Sequence, residues 1–295
     1  MENIINIIKE EILKHSIEET HKSVNEINKL ANDILSHVAK ENYDFYNKDG
    51  EFKYLYGTHI LGVNPDNFDE IKDFMENMNL MVSFSPNRGT IKRQGDYGVL
   101  QNRGKNFNPK SERDINLYYN YDELKEKIDN QIKNYGKLDS SDVYFILYYL
   151  FHSSLAHELQ HAYDDYRSKG RTFDTKQNKE YLNKYHNQGQ NAHSKEMKKD
   201  LEHAKKYLNL PHEIWARFTQ AIDKIGFYST DFSDDMKVQY HTMYPLKGIV
   251  KEFMYDFKNF NVLSQKSKKI LIRKVSQFWH LEKDKIDKEN SELTK

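Results

Sequence analysis

Apolar positions recur at helical spacing near the start of the chain. Ile4, Ile8 and Ile12 (with Leu13) are followed by Val24, Ile27, Leu30, Ile34 and Val38. Steps of three and four put such residues on one side of a helix, so residues 2–40 predict one or two amphipathic helices. The rhythm then changes. Between residues 51 and 120, glycines at 57, 62, 89, 95, 98 and 104 and prolines at 65, 86 and 109 cut the chain into short runs. Phe52–Val63, Leu80–Phe84, Tyr97–Gln101 and Ile115–Tyr119 read as strands between those breakers. Phe68–Met78 reads as a short helix between strands. From Asp122 the pattern is helical to the end, apart from a polar, loop-rich excursion over 168–200 that contains Gly170 and Gly189. The expected organisation is α+β: an N-terminal helical segment (1–45), a main domain (46–282) and a charged tail (283–295) that frays. No internal repeat interrupts it.

Composition removes several classes of function. The chain has 295 residues, of which 31% are charged and 37% apolar, with 16 Phe and 21 Tyr to build a core. A formal net charge of zero gives no global electrostatic case for nucleic acid or an anionic membrane. Basic clusters at Lys92-Arg93, Arg103–Lys105 and Lys266–Lys274 are offset by acids and read as solvated faces. With no cysteine, disulfides and thiolate ligands are excluded, and any metal must be held by His, Asp or Glu. The N-terminus lacks the basic start and unbroken apolar stretch of a signal peptide. The longest apolar run, Val143–Phe151, is nine residues, too short for a membrane span. The expected location is cytoplasmic where the chain is synthesised. The Tyr, Lys, Asn and Ile bias suggests AT-rich coding, viral or low-GC bacterial, so a virion or a host cytoplasm enters if the source is viral.

Against that background one stretch carries chemistry: Ala156-His157-Glu158-Leu159-Gln160-His161-Ala162-Tyr163-Asp164-Asp165-Tyr166. Histidines four apart on a helix stack on one face, close enough to share one tetrahedral ion. Glu158 follows the first of them, where a carboxylate can reach a water at an open coordination position. This is the H-E-x-x-H arrangement of zinc peptidases. Two histidines can instead be solvated or satisfied within a core. The intervening Glu158, on a helix apolar over more than one face, favours the metal. Ser140, Ser141 and Asp142 are N-cap candidates and Gly170 a stop.

A catalytic zinc takes three protein ligands. Glu213, in Pro211-His212-Glu213-Ile214-Trp215-Ala216-Arg217-Phe218, is the leading third candidate. Pro211 suits the start of a helix, and Ile214, Trp215 and Phe218 can pack that helix against the motif. A first-turn glutamate favoured by the helix dipole is the alternative. Glu180 is a rival ligand set among polar residues. Asp164 and Asp165 could orient a ligand imidazole or tie down a loop, or stand exposed at a helix end. His152, His186, His193, His203 and His212 have no ligand spacing and read as surface or structural histidines.

His157–Tyr166 resembles the H-E-F-G-H-A-V-D-D-Y stretch of the family of anthrax lethal factor and related toxin-like zinc endopeptidases. The segment beginning at Glu213, with Ala216 three residues on and Phe218 beyond, looks like that family's helix bearing the third zinc ligand. Tyr207 lies near the family's tyrosine that supports the tetrahedral intermediate. The resemblance covers about 30 residues and implies a glutamate-zincin: a small mixed sheet packed on a buried motif helix, with a mainly helical C-terminal half. It implies Zn2+ held by His157, His161 and Glu213, with Glu158 as general base and a protein or peptide substrate. Tyr207 is the first oxyanion donor to expect, then Tyr228, His212 or Arg217. Ile115–Tyr119, the last strand, is the expected cleft edge for an extended substrate. A catalytically silent zincin serving as a structural or binding protein, such as a viral particle component, is the alternative.

Overall fold

The computed structural model describes residues 2–49, 55, 57–86, 95–98, 108–110, 112–171, 206–210, 212–219 and 263–274, with side chains in the first helix described over residues 22–44 and at 46. It is mixed α+β and mostly helical, with one small sheet.

Helix α1 spans Glu2–Asp49, a single helix longer than the periodicity alone suggested. Nothing in the sequence breaks it until Gly50. Its buried stripe, Val24, Ile27, Leu30, Ala31, Ile34, Leu35, Val38 and Ala39, advances by threes and fours.

The sheet has four strands: β1 (Thr58–His59), β2 (Leu80–Pro86), β3 (Gly95–Gly98) and β4 (Arg113–Tyr119). The strand order is β1-β2-β4-β3, with β2 and β4 parallel and both outer strands antiparallel to their neighbours. Leu80, Val82 and Phe84 pair in register with Arg113, Ile115 and Leu117, and all six side chains are buried. The period of two thus puts one face of both central strands in the core. The expectation that Ile115–Tyr119 forms the cleft edge is corrected here. β4 is paired on both sides, so the outer strand on that side is β3. Of the long strand expected over 52–63, residues 52–54 and 56 lie outside the described residues; the described part holds β1 followed by a 3-10 turn over Ile60–Gly62. Gly57 sits so close to β2 that a Cβ there would run into the Val82 carbonyl oxygen.

Helix α2 is only Lys72–Asn77. Its entry is held from α1: the Glu26 carboxylate accepts the backbone N–H groups of Asp69, Glu70 and Ile71 at 3.0, 2.8 and 3.0 Å. Helix α3 (Tyr121–Tyr135) starts on Asn120, whose side chain accepts from Asp122 N, and stops at Gly136 in the left-handed region, φ 75°.

Helix α4 (Ser140–Arg167) is the centre of the molecule. Its cap is Asp139 in place of the expected Ser140, Ser141 or Asp142. The Asp139 and Asp142 side chains accept each other's backbone N–H, because a carboxylate outcompetes a hydroxyl for those donors. The first turns bury one line, Val143, Leu147 and Phe151, and leave Phe145 and Tyr149 exposed. From Ser154 to Tyr163 every residue is buried. That switch from one buried face to all faces marks where α4 passes under the sheet and α1, whose apolar residues form one continuous core with it.

Two further described helices are α5 (212–219) and α6 (265–274), preceded by a helical turn at 206–208. Asn209 joins them, its side-chain oxygen accepting from Ser264 N at 2.8 Å and from Ser267 Oγ at 2.7 Å. Pro211, Glu180, Tyr228, His186, His193, His203 and the tail 283–295 lie outside the described residues. Among the described residues no helix is long and apolar enough to cross a membrane.

Candidate metal centre

His157 and His161 lie in the fully buried part of α4, one turn apart, with ring centroids separated by 4.7 Å at 88°. Glu213 comes from the first turn of α5 and is 2% exposed. Its Oε1 stands 3.5 Å from His161 Nε2 and its Oε2 3.8 Å from His157 Nε2. Two donors each ~2.1 Å from a tetrahedral ion stand roughly 3.4 Å apart. The observed separations are close to that value. Among the described residues, these three side chains are the group gathered closely enough to hold a metal ion, each offering an atom within 4.8 Å of the others.

The electrostatics fit a cation at this point. Glu213 Oε2 is buried with no hydrogen-bond partner, and a buried carboxylate oxygen is costly to leave unsatisfied. Burial pushes the Glu213 carboxyl up, but the His161 and His157 imidazoles and Arg217 outweigh it and hold the carboxyl far below its usual range. Burial and then neighbouring His161 keep the His157 imidazole well below its ordinary value, against the pull of Glu213. His157 is therefore neutral at pH 7, the form that ligates metal. For His161, burial lowers the pKa but Glu213 more than restores it, with Glu158 and Asp164 adding to the rise. The His161 imidazole thus holds a proton more tightly than a free imidazole does.

Glu158 is buried, 8% exposed, and its charge acts on both His161 and Tyr207. Tyr207, on the turn before α5, is held protonated. Burial and then Glu213, to which it hydrogen-bonds, push its hydroxyl well above 10. Tyr207 thus shares the site with the three ligand candidates. His212, read from sequence as a surface or structural histidine and as a later oxyanion-donor candidate, lies at the site. It is buried, its ring is 5.6 Å from that of His161, and its Nε2 is 3.9 Å from Glu213 Oε1. Arg217, one turn along α5, approaches Glu213 Oε2 to 3.9 Å through its Nε. His152 is structural, its Nε2 lying 3.2 Å from the Asn28 carbonyl and its ring stacked on Tyr148.

The two aspartates divide their work. Asp165 is 2% exposed and receives a hydrogen bond from Arg113 NH1 across a buried ion pair, tying α4 to β4. Asp164 accepts from Gln160 Nε2 at 2.8 Å. The Gln160 carbonyl in turn accepts from Thr219 Oγ1 at 2.7 Å, linking α4 to α5. Sequence reasoning overlooked Arg113, Gln160 and Thr219. For Arg113 a signal existed: it shares parity with Ile115 and Leu117, and a charge at an inward strand position demands a buried counter-ion. On α5, Ile214 and Phe218 are buried, while Trp215 meets the Phe218 ring edge and Lys274 of α6.

No protein family, no curated protein and no solved structure matches the chain.

Proposed function

We propose that this protein is a zinc-dependent endopeptidase of the glutamate-zincin type, with the lethal-factor-like resemblance extending through α4 and α5. The observation that carries the reading is the meeting of His157, His161 and Glu213 in one buried cluster beside Glu158. Two imidazoles and a carboxylate are a donor set that suits zinc, and the absence of cysteine leaves no softer set.

When bound, zinc supplies Lewis acidity, polarising a substrate carbonyl and acidifying water. The chain's own groups do the rest. His157 is neutral and offers its Nε2 lone pair. Glu158 accepts the proton of the attacking water and returns it to the departing amine. Tyr207, kept protonated at neutral pH, can donate its O–H to the oxygen on which charge develops. β3 has no further strand beyond it among the described residues, so an extended peptide could add there by backbone pairing.

The test is hydrolysis of a denatured protein or peptide library by the wild type, with and without chelator, against Glu158→Gln. Gln is nearly isosteric and cannot take the proton. The expected result is chelator-sensitive cleavage by the wild type and none by the variant, with equal metal content. Undiminished cleavage by Glu158→Gln would remove Glu158 from the role of base.

A further inference from the structure

Helix α5 carries the third ligand candidate on eight residues, 212–219. A helix of two turns has little stability of its own and takes its position from what it packs on. Ile214, Ala216 and Phe218 are buried, but apolar contact is non-directional and tolerates sliding. Besides the contacts of His161 with Glu213 and of His157 with the Ala216 backbone, α5 has a directional link to the motif segment of α4 at its far end. Thr219 Oγ1 donates to Gln160 Oε1 at 2.7 Å, with Thr219 0% and Gln160 4% exposed. The Gln160 amide cannot simply rotate away, because its NH2 donates to Asp164 Oδ1 at 2.8 Å. One end of the amide is thus committed to the carboxylate and the other to the hydroxyl.

We infer that the Gln160–Thr219 hydrogen bond is a clamp that positions Glu213 for metal binding. Gln160 lies next to His161 in the chain, and Thr219 lies about 9 Å along the helix axis from Glu213. Holding the end of a rigid helix against the histidine-bearing helix fixes the axial register of the carboxylate. Metal sites tolerate only about 0.2 Å of error in donor distance. Losing the clamp therefore weakens metal binding although every ligand remains. The inference rests on the metal reading of the site.

The test uses the full chain and three variants: Thr219→Val, Thr219→Ser, and Gln160→Met combined with Thr219→Val. Zinc affinity is measured by chelator competition, and the visible spectrum of the cobalt(II)-loaded protein reports ligand geometry. Urea unfolding of the metal-free protein controls for stability. Thr219→Val strands a buried amide oxygen. The double variant leaves no stranded amide oxygen but also removes the Gln160 donor to Asp164, so its folding is read from the urea control. Both are expected to bind zinc about 10-fold more weakly, with an altered cobalt spectrum, while Thr219→Ser retains wild-type affinity. A folded double variant with wild-type zinc affinity and cobalt spectrum would overturn the clamp. If it does not fold, the same comparison on Thr219→Val decides. A wild-type chain that takes up neither metal would instead sink the metal centre and the clamp with it.

Discussion

A carboxylate that is 2% exposed has to be neutralised by something within reach, and Glu213 faces two imidazoles with one oxygen unsatisfied. The His161 pKa is raised by Glu213, against burial, so metal uptake competes with a proton at His161. Zinc affinity should accordingly fall as pH drops below neutrality, and proton release on zinc addition at pH 7 measures the exchange. Uptake with no proton released would contradict the assignment. Tyr207→Phe should lower turnover by ~10²-fold with metal content unchanged, since it removes a donor and no ligand. Asp164 gives an independent pH test. Burial raises its carboxyl from 3.8 to about 6, with the Gln160 hydrogen bond pulling the other way. A raised folded-state value means that the folded state holds the proton more tightly. The contribution of Asp164 to stability is thus complete below about 4 and lost as pH rises through about 6. Urea midpoints of the metal-free wild type should therefore fall relative to Asp164→Asn across that window, and a constant difference would be a failure. His157, Glu158 and His161 were legible because their spacing is local. Gln160 was not, because a polar side chain inside a motif gives no sign of a partner 59 positions away.

At the scale of elements, α4 connects the sheet and the site. Its apolar run was visible in sequence, and so was β4, from its alternation. The place of β4 in the sheet was not visible, because strand order depends on which edges meet and local alternation is silent about that. Hence the outer strand on that side is β3 and not the expected β4. The choice of Glu213 was readable because Ile214 and Phe218 give α5 an apolar side to bury. The Arg113–Asp165 pair fixes β4 to the end of α4, both partners being 2% exposed. Arg113→Met takes the guanidinium away from a buried carboxylate and should cost about 3–5 kcal/mol by urea unfolding. Adding Asp165→Leu should recover most of that loss, because the stranded charge is gone. If the single variant were as stable as the wild type, the pair would not be the tie that the burial implies.

For the whole molecule, α1, the sheet and α4 share one core, and the site is completed by a short helix entering from much later in the chain. The mixed α+β class follows from two periodicities, helical at both ends and strand-like between them. The contact of Thr219 at the end of α5 with Gln160 does not, since long-range contacts leave no local pattern. A ligand that bridges α4 and α5 couples their docking, so zinc should raise the unfolding midpoint of the wild type and not that of Glu213→Ala. The most direct measurement is a crystal of the zinc-soaked full chain, with anomalous data collected on both sides of the zinc absorption edge. The account predicts one strong peak per chain, bounded by His157 Nε2, His161 Nε2 and the Glu213 carboxylate. No peak there, or a peak whose third protein ligand is another residue, would contradict it.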